Sequence, residues 1–173
     1  MRETAIKFQL ARKGDLPVIA EIYNYYSHHT TATFHDGDIT PAELSKDYPP
    51  GDQVYRAYLI LDGEEIQGYC GVRRYKNLRA YDRTVEISIY LKPEHTGRGI
   101  GKIALSFLED HARRAGIRVI LGTVTGENHA STRLFEAAGY SRCAHLRNVG
   151  EIAGKVLDVV MYQKELQREQ PKR

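Results

Sequence analysis

The chain has 173 residues, of which 42% are hydrophobic and 27% charged, which is the composition of a globular protein and excludes disorder over the whole length. This length predicts a single domain with its own core over residues 1–166, followed by a polar tail at 167–173. The 25 Lys and Arg residues against 22 Asp and Glu residues give a net charge of +3, too small to indicate nucleic-acid binding from charge alone.

The first half of the chain predicts a strand, two helices and a hairpin. Residues Thr40 to Glu43 read TPAE, a capping box with proline at the first helical position, so a short helix begins there and ends at the PPG of residues 49–51. Asp62 and Gly63 form the DG pair of a tight hairpin turn. Hydrophobic periodicity places the other elements at Thr4 to Ala11 (strand), Leu16 to about His28 (helix), and 54–61 and 65–75 (strands).

The second half predicts alternating strands and helices. In the strand from Thr84 to Leu91, apolar side chains alternate with polar ones, and Glu86 lies on the polar face. Apolar side chains recur at helical spacing from Ile100 onward, until Gly116 ends that helix as a left-handed cap. The remaining predicted elements are a buried strand at 117–124, a helix from Asn128 to Ala138 capped by Gly139, and strands at 140–149 and 155–164. This order of elements indicates a mixed α/β fold.

Targeting signals and metal or disulfide patterns are missing from the sequence. The first residues contain no apolar stretch of signal-peptide length, and no run of apolar residues is long enough to predict a membrane-spanning helix. Cys70 and Cys143 stand far apart and outside any CxxC pair, which indicates neither a disulfide framework nor a zinc site. We therefore expect a cytoplasmic protein whose two cysteines are buried as small apolar side chains.

Residues His95 to Lys102 read HTGRGIGK and lie between a predicted strand and an amphipathic helix. Alternating glycines let the backbone approach an anion, toward which the first N–H groups of the helix point. Two familiar phosphate loops do not fit, because a Walker loop would need glycine at Thr96 and a hydroxyl at Ile103, and a dinucleotide fingerprint would need glycine at Lys102. A glycine-rich turn without a ligand remains the alternative.

This glycine loop, following the strand TVEISIYL, is similar to the acyl-CoA pyrophosphate loop of the GNAT N-acetyltransferase superfamily. The resemblance implies a mixed, mostly antiparallel sheet of about seven strands flanked by about four helices. It also implies acetyl-CoA as cosubstrate, no metal and a homodimer. Four collinear segments resemble the phosphinothricin and amino-acid N-acetyltransferase branch, namely IYNYYSHHTTATF (22–34), AYDRTVEISIYLKPEHTGRGIGK (80–102), ENHASTRLFEAAGY (127–140) and VLDVVMYQKEL (156–166).

The resemblance implies that Glu86 is the catalytic carboxylate. Formation of an amide from a thioester needs a deprotonated amine, and a carboxylate on the polar face of the strand can accept that proton directly or through water. The alternative is that Glu86 only pairs with an arginine on the sheet surface, for which the sequence offers Arg73, Arg74 and Arg83.

The same resemblance implies which residues hold acetyl-CoA. The backbone of Ile89, Tyr90 and Leu91 matches the segment that binds the pantetheine arm. Asn128 matches a residue that reaches this arm, although an N-cap of the following helix explains Asn128 equally well. The residues of the pyrophosphate loop are Gly97, Arg98, Gly99, Ile100, Gly101 and Lys102.

Residues 73–83 read RRYKNLRAYDR, in which basic residues are interleaved with tyrosines. This composition is also typical of single-stranded nucleic-acid binding. An exposed hairpin edge is another interpretation. The resemblance instead implies an acceptor pocket, suited to an α-carboxylate or a phosphinate, that is lined by Thr33, Phe34, Arg79 and Tyr81.

Phe135 departs from the family pattern. The superfamily often has Tyr at this position and the branch often has His, and either side chain can protonate the leaving thiolate, whereas phenylalanine cannot. A thiol with a pKa near 8.5 is a fair leaving group, so we expect no protein acid, with Tyr90 or Tyr140 as the alternatives.

We therefore predict an acetyl-CoA-dependent N-acetyltransferase acting on the primary amine of a small acceptor by direct transfer in a ternary complex. The acceptor is expected to be an amino acid or an analogue resembling phosphinothricin or methionine sulfoximine. Acetylation of a peptide N-terminus or of a polyamine is the alternative among enzymes. A non-catalytic CoA-binding or nucleic-acid-binding module is the alternative among other proteins, although we expect neither nucleic acid nor a membrane as a partner.

Overall fold

The computed structural model describes residues 5–167 as a single β-sheet with helices on both faces. The helices are α1 (Leu16–His29), α2 (Pro41–Asp47), α3 (Ile100–Arg114) and α4 (His129–Ala137). The strands are β1 (Ile6–Leu10), β2 (Arg56–Asp62), β3 (Glu65–Arg74), β4 (Thr84–Leu91), β5 (Val119–Thr125), β6 (Ser141–Ile152) and β7 (Lys155–Glu165). No helix within this range is long and apolar enough to cross a bilayer.

The seven strands follow the order β1-β2-β3-β4-β5-β7-β6, and all neighbours are antiparallel except β4 and β5. The predicted fold class, a mostly antiparallel sheet with four helices, is therefore confirmed. The parallel pair is short, because it runs only from Thr84 opposite Val119 to Glu86 opposite Leu121. Beyond Glu86 the two strands are no longer paired, and a gap opens in the middle of the sheet.

Each face of the sheet carries its own hydrophobic core. Leu105 and Leu108 of α3 pack on one face with Val72 of β3, whereas Ile19 of α1 and Leu44 of α2 pack on the other. Side chains of a strand alternate between faces, so Tyr69, Gly71 and Arg73 of β3 all point toward α1 and α2. The same alternation places Glu86, Ser88 and Tyr90 of β4 on that face.

Helix α2 brings an aromatic ring onto this polar part of the sheet. It begins with the predicted capping box, in which Thr40 and Glu43 each bind the other's backbone N–H. It ends at Tyr48, whose ring lies directly over Gly71 of β3. A Cβ atom at position 71 would lie 2.5 Å from the Tyr48 ring, so only glycine allows this contact.

Apart from element bounds that shift by up to three residues, the structure differs from the sequence-based expectations in two local features. The hairpin between β2 and β3 turns at Gly63 and Glu64, one residue later than predicted, because Asp62 pairs with Glu65 and Gly63 takes the positive φ of +62°. Cys70 is buried as expected, but Cys143 is exposed because it lies on the edge strand β6. The expected start of the first strand at Thr4 and the tail at 168–173 lie outside the described residues.

Candidate active site

The gap between β4 and β5 opens into a cavity of about 1190 Å³. One wall is the unpaired part of β4, from Ile87 to Leu91, and Thr123 and Val124 of β5 stand on the opposite side. An unpaired strand edge presents backbone N–H and C=O groups that a bound ligand can use. Ile89, Tyr90 and Leu91, which the sequence resemblance assigned to the pantetheine arm, all line this cavity.

The glycine loop forms a second wall of the cavity. Gly97 and Gly99 have φ values of +75° and +79°, a conformation that favours glycine, and Gly99 is the N-cap of α3. The first N–H groups of α3 have no partner within the helix, so this wall presents donors and the positive end of the helix dipole. The loop residues that line the cavity are Thr96, Gly97, Gly99, Gly101 and Lys102.

Two residues assigned to this loop by the sequence do not line the cavity. Ile100 is 2% exposed and packs into the core beneath α3, so its side chain anchors the helix. Arg98 is exposed to solvent and is absent from the cavity wall. A side-chain contribution of Arg98 or Ile100 to this site is therefore not supported by their positions.

Glu86 and Arg73 stand opposite each other on β4 and β3, and both side chains line the cavity. Arg73 Nη2 donates to Glu86 Oε1 at 2.6 Å, whereas no hydrogen bond among the described residues engages Oε2. Burial disfavours the charge of Arg73, but Glu86, Tyr48 and Asp47 together outweigh this effect and raise the pKa of Arg73. The expected ion pair and the expected cavity position of Glu86 thus occur together.

Aromatic side chains surround this ion pair on the α1 and α2 side. The Tyr69 and Tyr90 rings stack with centroids 5.6 Å apart, and Tyr23 meets Tyr90 edge-on at 5.3 Å. Burial raises the pKa of Tyr48 to about 12, although Arg73 opposes this shift, so its hydroxyl is neutral at physiological pH. This part of the cavity can hold an organic side chain next to a charged pair.

Asn128 is placed so that both roles considered from the sequence, helix cap and ligand contact, are open to it. Its Oδ1 accepts from the Ser131 N–H at 3.2 Å and caps α4. The side chain also lines the cavity, and no hydrogen bond of the described residues uses its Nδ2 donor. The N-cap is thus observed, and Nδ2 remains able to reach a ligand.

The four predicted acceptor residues do not come together. Thr33 and Phe34, in the segment after α1, line the cavity. Arg79 and Tyr81 form a short 3₁₀ turn away from it, because the segment between β3 and β4 folds back on itself: the Tyr81 ring packs edge-on against Tyr75. Within this chain, Arg79 and Tyr81 lie outside the cavity, and their assignment to the acceptor pocket stays a prediction.

Comparison with known proteins identifies the family of this chain. Residues 19–140 match the acetyltransferase (GNAT) family. The chain belongs to this family. It is 32% identical to the L-methionine sulfoximine/L-methionine sulfone acetyltransferase of Salmonella typhimurium, over 91% of this chain and 93% of that one. It is 31% identical to an L-amino acid N-acyltransferase of Escherichia coli, over 93% and 94% of the two chains.

A solved relative extends the comparison to the fold. The GNAT superfamily phosphinothricin acetyltransferase of Sinorhizobium meliloti, solved in complex with acetyl-CoA, superposes with a TM-score of 0.85 at 30% identity, covering 93% of this chain and 88% of that one. The seven-stranded sheet and the four helices are thus a GNAT fold, and the protein is an acetyltransferase.

Phe135 fills a fixed position in this GNAT acetyltransferase. Its ring lies over Gly122 of β5, where a Cβ atom would come within 2.2 Å of it, and stacks on Tyr162 at 5.5 Å. It lines the cavity and supplies no proton donor. Of the two alternatives, Tyr140 does not line the cavity, and Tyr90 does, with its hydroxyl 3.5 Å from the Ala32 carbonyl oxygen.

Sequence reasoning missed several cavity residues. Tyr23 and Tyr26 lie within the predicted first helix, for which the sequence indicates no role in the site, yet both line the cavity. Arg73 was considered only as a partner of Glu86. Its period-two spacing from Tyr69 and Gly71 places it on the polar face of β3, but only the register between β3 and β4 brings it beside the carboxylate.

Proposed function

We propose that this GNAT acetyltransferase transfers the acetyl group of acetyl-CoA to the primary amine of an amino acid or a close analogue, by direct transfer in a ternary complex. The observation that carries the proposal is the free Oε2 of Glu86, in the same cavity as the glycine loop at the start of α3. The names of the relatives, which act on L-amino acids, methionine sulfoximine, methionine sulfone or phosphinothricin, support this acceptor class.

Acetyl-CoA would enter from the glycine loop. Its pyrophosphate would accept hydrogen bonds from the free N–H groups of the first turn of α3, with Lys102 adding a positive charge. Its pantetheine arm would follow the unpaired edge of β4 from Ile89 to Leu91, where it would take the hydrogen bonds that a paired β5 would otherwise make. Asn128 Nδ2 would donate to the same arm from the opposite side.

Glu86 would accept the proton that the acceptor ammonium must lose before it can attack. The neutral amine then adds to the thioester carbonyl, its nitrogen gives up a second proton to water, and the tetrahedral intermediate collapses with departure of the CoA thiolate. Phe135 cannot protonate that thiolate, but a thiol with an ordinary pKa of about 8.5 is a fair leaving group as the anion and can take its proton from water afterwards. The reaction thus needs one protein base and no protein acid.

A thiol-release assay tests the proposal. We expect purified enzyme with acetyl-CoA to release CoA thiol in the presence of α-amino acids, methionine sulfone, methionine sulfoximine or phosphinothricin, and not with spermidine or an N-terminal peptide. Faster release with spermidine or the peptide would contradict the proposed acceptor class. No release with any amine would contradict acetyl transfer and leave a non-catalytic CoA-binding module. A homodimer and a cytoplasmic location remain predictions of the sequence.

A further inference from the structure

Three lysine and arginine side chains line the cavity among the described residues, and each belongs to a different element. Lys102 lies on the first turn of α3 beside the glycine loop, and Arg133 lies on α4. Arg73 alone of the three belongs to the sheet, where it pairs with Glu86. Arg73 is thus the one of these three side chains that adjoins the proposed base.

The guanidinium of Arg73 is only partly engaged by the protein. It carries five N–H donors in a planar fork, and one hydrogen bond, from Nη2 to Glu86 Oε1, is made within residues 5–167. Its Nε is buried without any partner, although the side chain as a whole is 37% exposed. Nε therefore cannot reach a ligand in the cavity, whereas Nη1 and the second N–H of Nη2 make no hydrogen bond among the described residues. The free part of the fork suits a carboxylate.

We propose that Arg73 binds the α-carboxylate of the acceptor while Glu86 receives its amine. This inference rests on the proposed function. In a zwitterionic α-amino acid, an anion and a cation are joined through one carbon atom, and the adjacent Arg73 and Glu86 present the complementary pair of charges. Binding of the acceptor would engage the free Nη donors of Arg73 and would bring the ammonium to Glu86 in the same step.

Nearby charges favour this assignment over a second amine. Asp47 also lines the cavity close to Arg73, so two carboxylates attract the ammonium and Arg73 is the cation that faces the acceptor carboxylate. Arg79, the residue predicted from the sequence for this role, lies outside the cavity. A polyamine would leave Arg73 unpaired and would place a further positive charge beside it, whereas an α-amino acid would not.

Matched acceptors test the proposal. L-methionine sulfone and its carboxamide differ in the charge of one group, so the ratio of their KM values reports the contact to the carboxylate. We expect the wild-type enzyme to prefer the carboxylate. Arg73→Gln should raise the KM of the carboxylate form by roughly tenfold to a hundredfold and that of the amide by less than about threefold. Arg73→Lys, which keeps the charge but not the fork, should lose part of the preference.

Loss of Arg73 also changes the surroundings of Glu86, but this change acts on both acceptors and cancels in the ratio. Arg74→Gln is the matched control, because Arg74 is the next residue on β3, points to the other face, and pairs with Asp82 outside the cavity. It should leave the ratio unchanged. Thermal midpoints within a few degrees of the wild type would show that the variants are folded.

Three outcomes would overturn the proposal. An unchanged KM ratio in folded Arg73→Gln or Arg73→Lys would show that Arg73 does not bind the carboxylate, while acetylation of amino acids by the wild type would keep the proposed function. Loss of the preference in Arg79→Ala instead of Arg73→Gln would assign the contact to Arg79. If methionine sulfone is not an acceptor, the best amino acid of the panel and its amide replace it in this test. If the enzyme acetylates no amino acid at all, both proposals are overturned.

Discussion

The two oxygens of the Glu86 carboxylate have different surroundings. Oε1 accepts a charge-assisted hydrogen bond from Arg73, and this contact fixes the orientation of the side chain. Oε2 faces no protein donor among the described residues and is the atom able to take a proton from a bound amine. One residue can therefore be held by the sheet and act on the substrate at once, which an isolated carboxylate on a flexible loop could not do.

Glu86→Gln separates these two roles. Glutamine keeps an oxygen for Arg73 but cannot accept the amine proton, so kcat near neutral pH should fall by roughly a hundredfold to ten-thousandfold. The affinity for acetyl-CoA, measured by calorimetry, should stay within about twofold. The loss should shrink at alkaline pH because more of the acceptor is then already neutral. Unchanged turnover at neutral pH would mean that Glu86 serves only the ion pair.

Gly101 tests how closely acetyl-CoA approaches α3. In the structure a Cβ atom at this position would meet only Leu134 Cδ2, at the ordinary distance of 3.5 Å, so Gly101→Ala should fold without loss of stability. If a pyrophosphate lies against the backbone there, calorimetry should show acetyl-CoA binding weakened by about tenfold or more, and further in Gly101→Val.

The control for that experiment is Gly14→Ala. A Cβ atom at Gly14 would contact nothing, and this residue lies outside the cavity wall, so acetyl-CoA affinity should not change. Lys102→Ala should cost much less than the Gly101 variants, because one exposed charge contributes less than a steric block. Unaltered acetyl-CoA affinity in Gly101→Val would remove the pyrophosphate from this loop.

At the level of helices and strands, the sequence predicts the start or end of an element correctly where a local motif marks that position. The capping box at Thr40 and the glycine after α4 are such signals, and both are observed. Features that depend on pairing were less predictable. The turn at Gly63 is displaced by one residue because the β2–β3 register decides it, and Cys143 is exposed because β6 lies at the sheet edge.

The same distinction applies to the site. The glycine loop and Glu86 carry their chemistry in a short segment, and both line the cavity. The acceptor side instead combines β3, β4, α1 and α2, which meet only through the sheet order and the packing of Tyr48 on Gly71. No pattern in the sequence distinguishes Arg73 from Arg79 before that register is known.

The contact of α2 with the sheet makes stability depend on pH. Burial raises the pKa of Tyr48 from 10.0 to about 12, which means that the folded state favours the neutral phenol. The stabilisation that comes from the neutral Tyr48 phenol is fully present below pH 10 and is lost as the pH rises toward 12. The free energy of unfolding should fall by about 1 kcal/mol from this cause between pH 9 and pH 11. Tyr48→Phe keeps the ring over Gly71 and removes the ionisable group.

Urea denaturation at pH 9 and pH 11 measures this effect. The wild type should lose about 1 kcal/mol more of its free energy of unfolding between these pH values than Tyr48→Phe does. Other buried tyrosines contribute to both proteins and cancel in the comparison. Equal losses in the two proteins would mean that Tyr48 ionises as easily in the folded chain as in the unfolded one.

Across the whole molecule, the sheet consists of two parts, β1 to β4 and β5 to β7, that share three residue pairs. A ligand in the gap would contact both parts. At a concentration one hundred times its Kd, acetyl-CoA should add about 2.7 kcal/mol to the free energy of unfolding and raise the thermal midpoint by roughly 5 to 10 °C. Gly101→Val at the same concentration should show a smaller rise, and an equal rise would place the ligand elsewhere.

Because the β4–β5 pairing ends at Glu86, successive backbone amides of β4 beyond it should differ in their rates of hydrogen exchange. Successive N–H groups of a strand point to opposite sides, so between Ile87 and Leu91 every second amide faces β3 and the others face the gap. Amides that face β3 are protected from exchange with deuterium, and their neighbours are not. We expect slow and fast exchange to alternate along this part of β4 in the free protein, and exchange to be slow at every residue with acetyl-CoA bound. That result would show that acetyl-CoA takes the hydrogen-bonding place of the missing β5 neighbour.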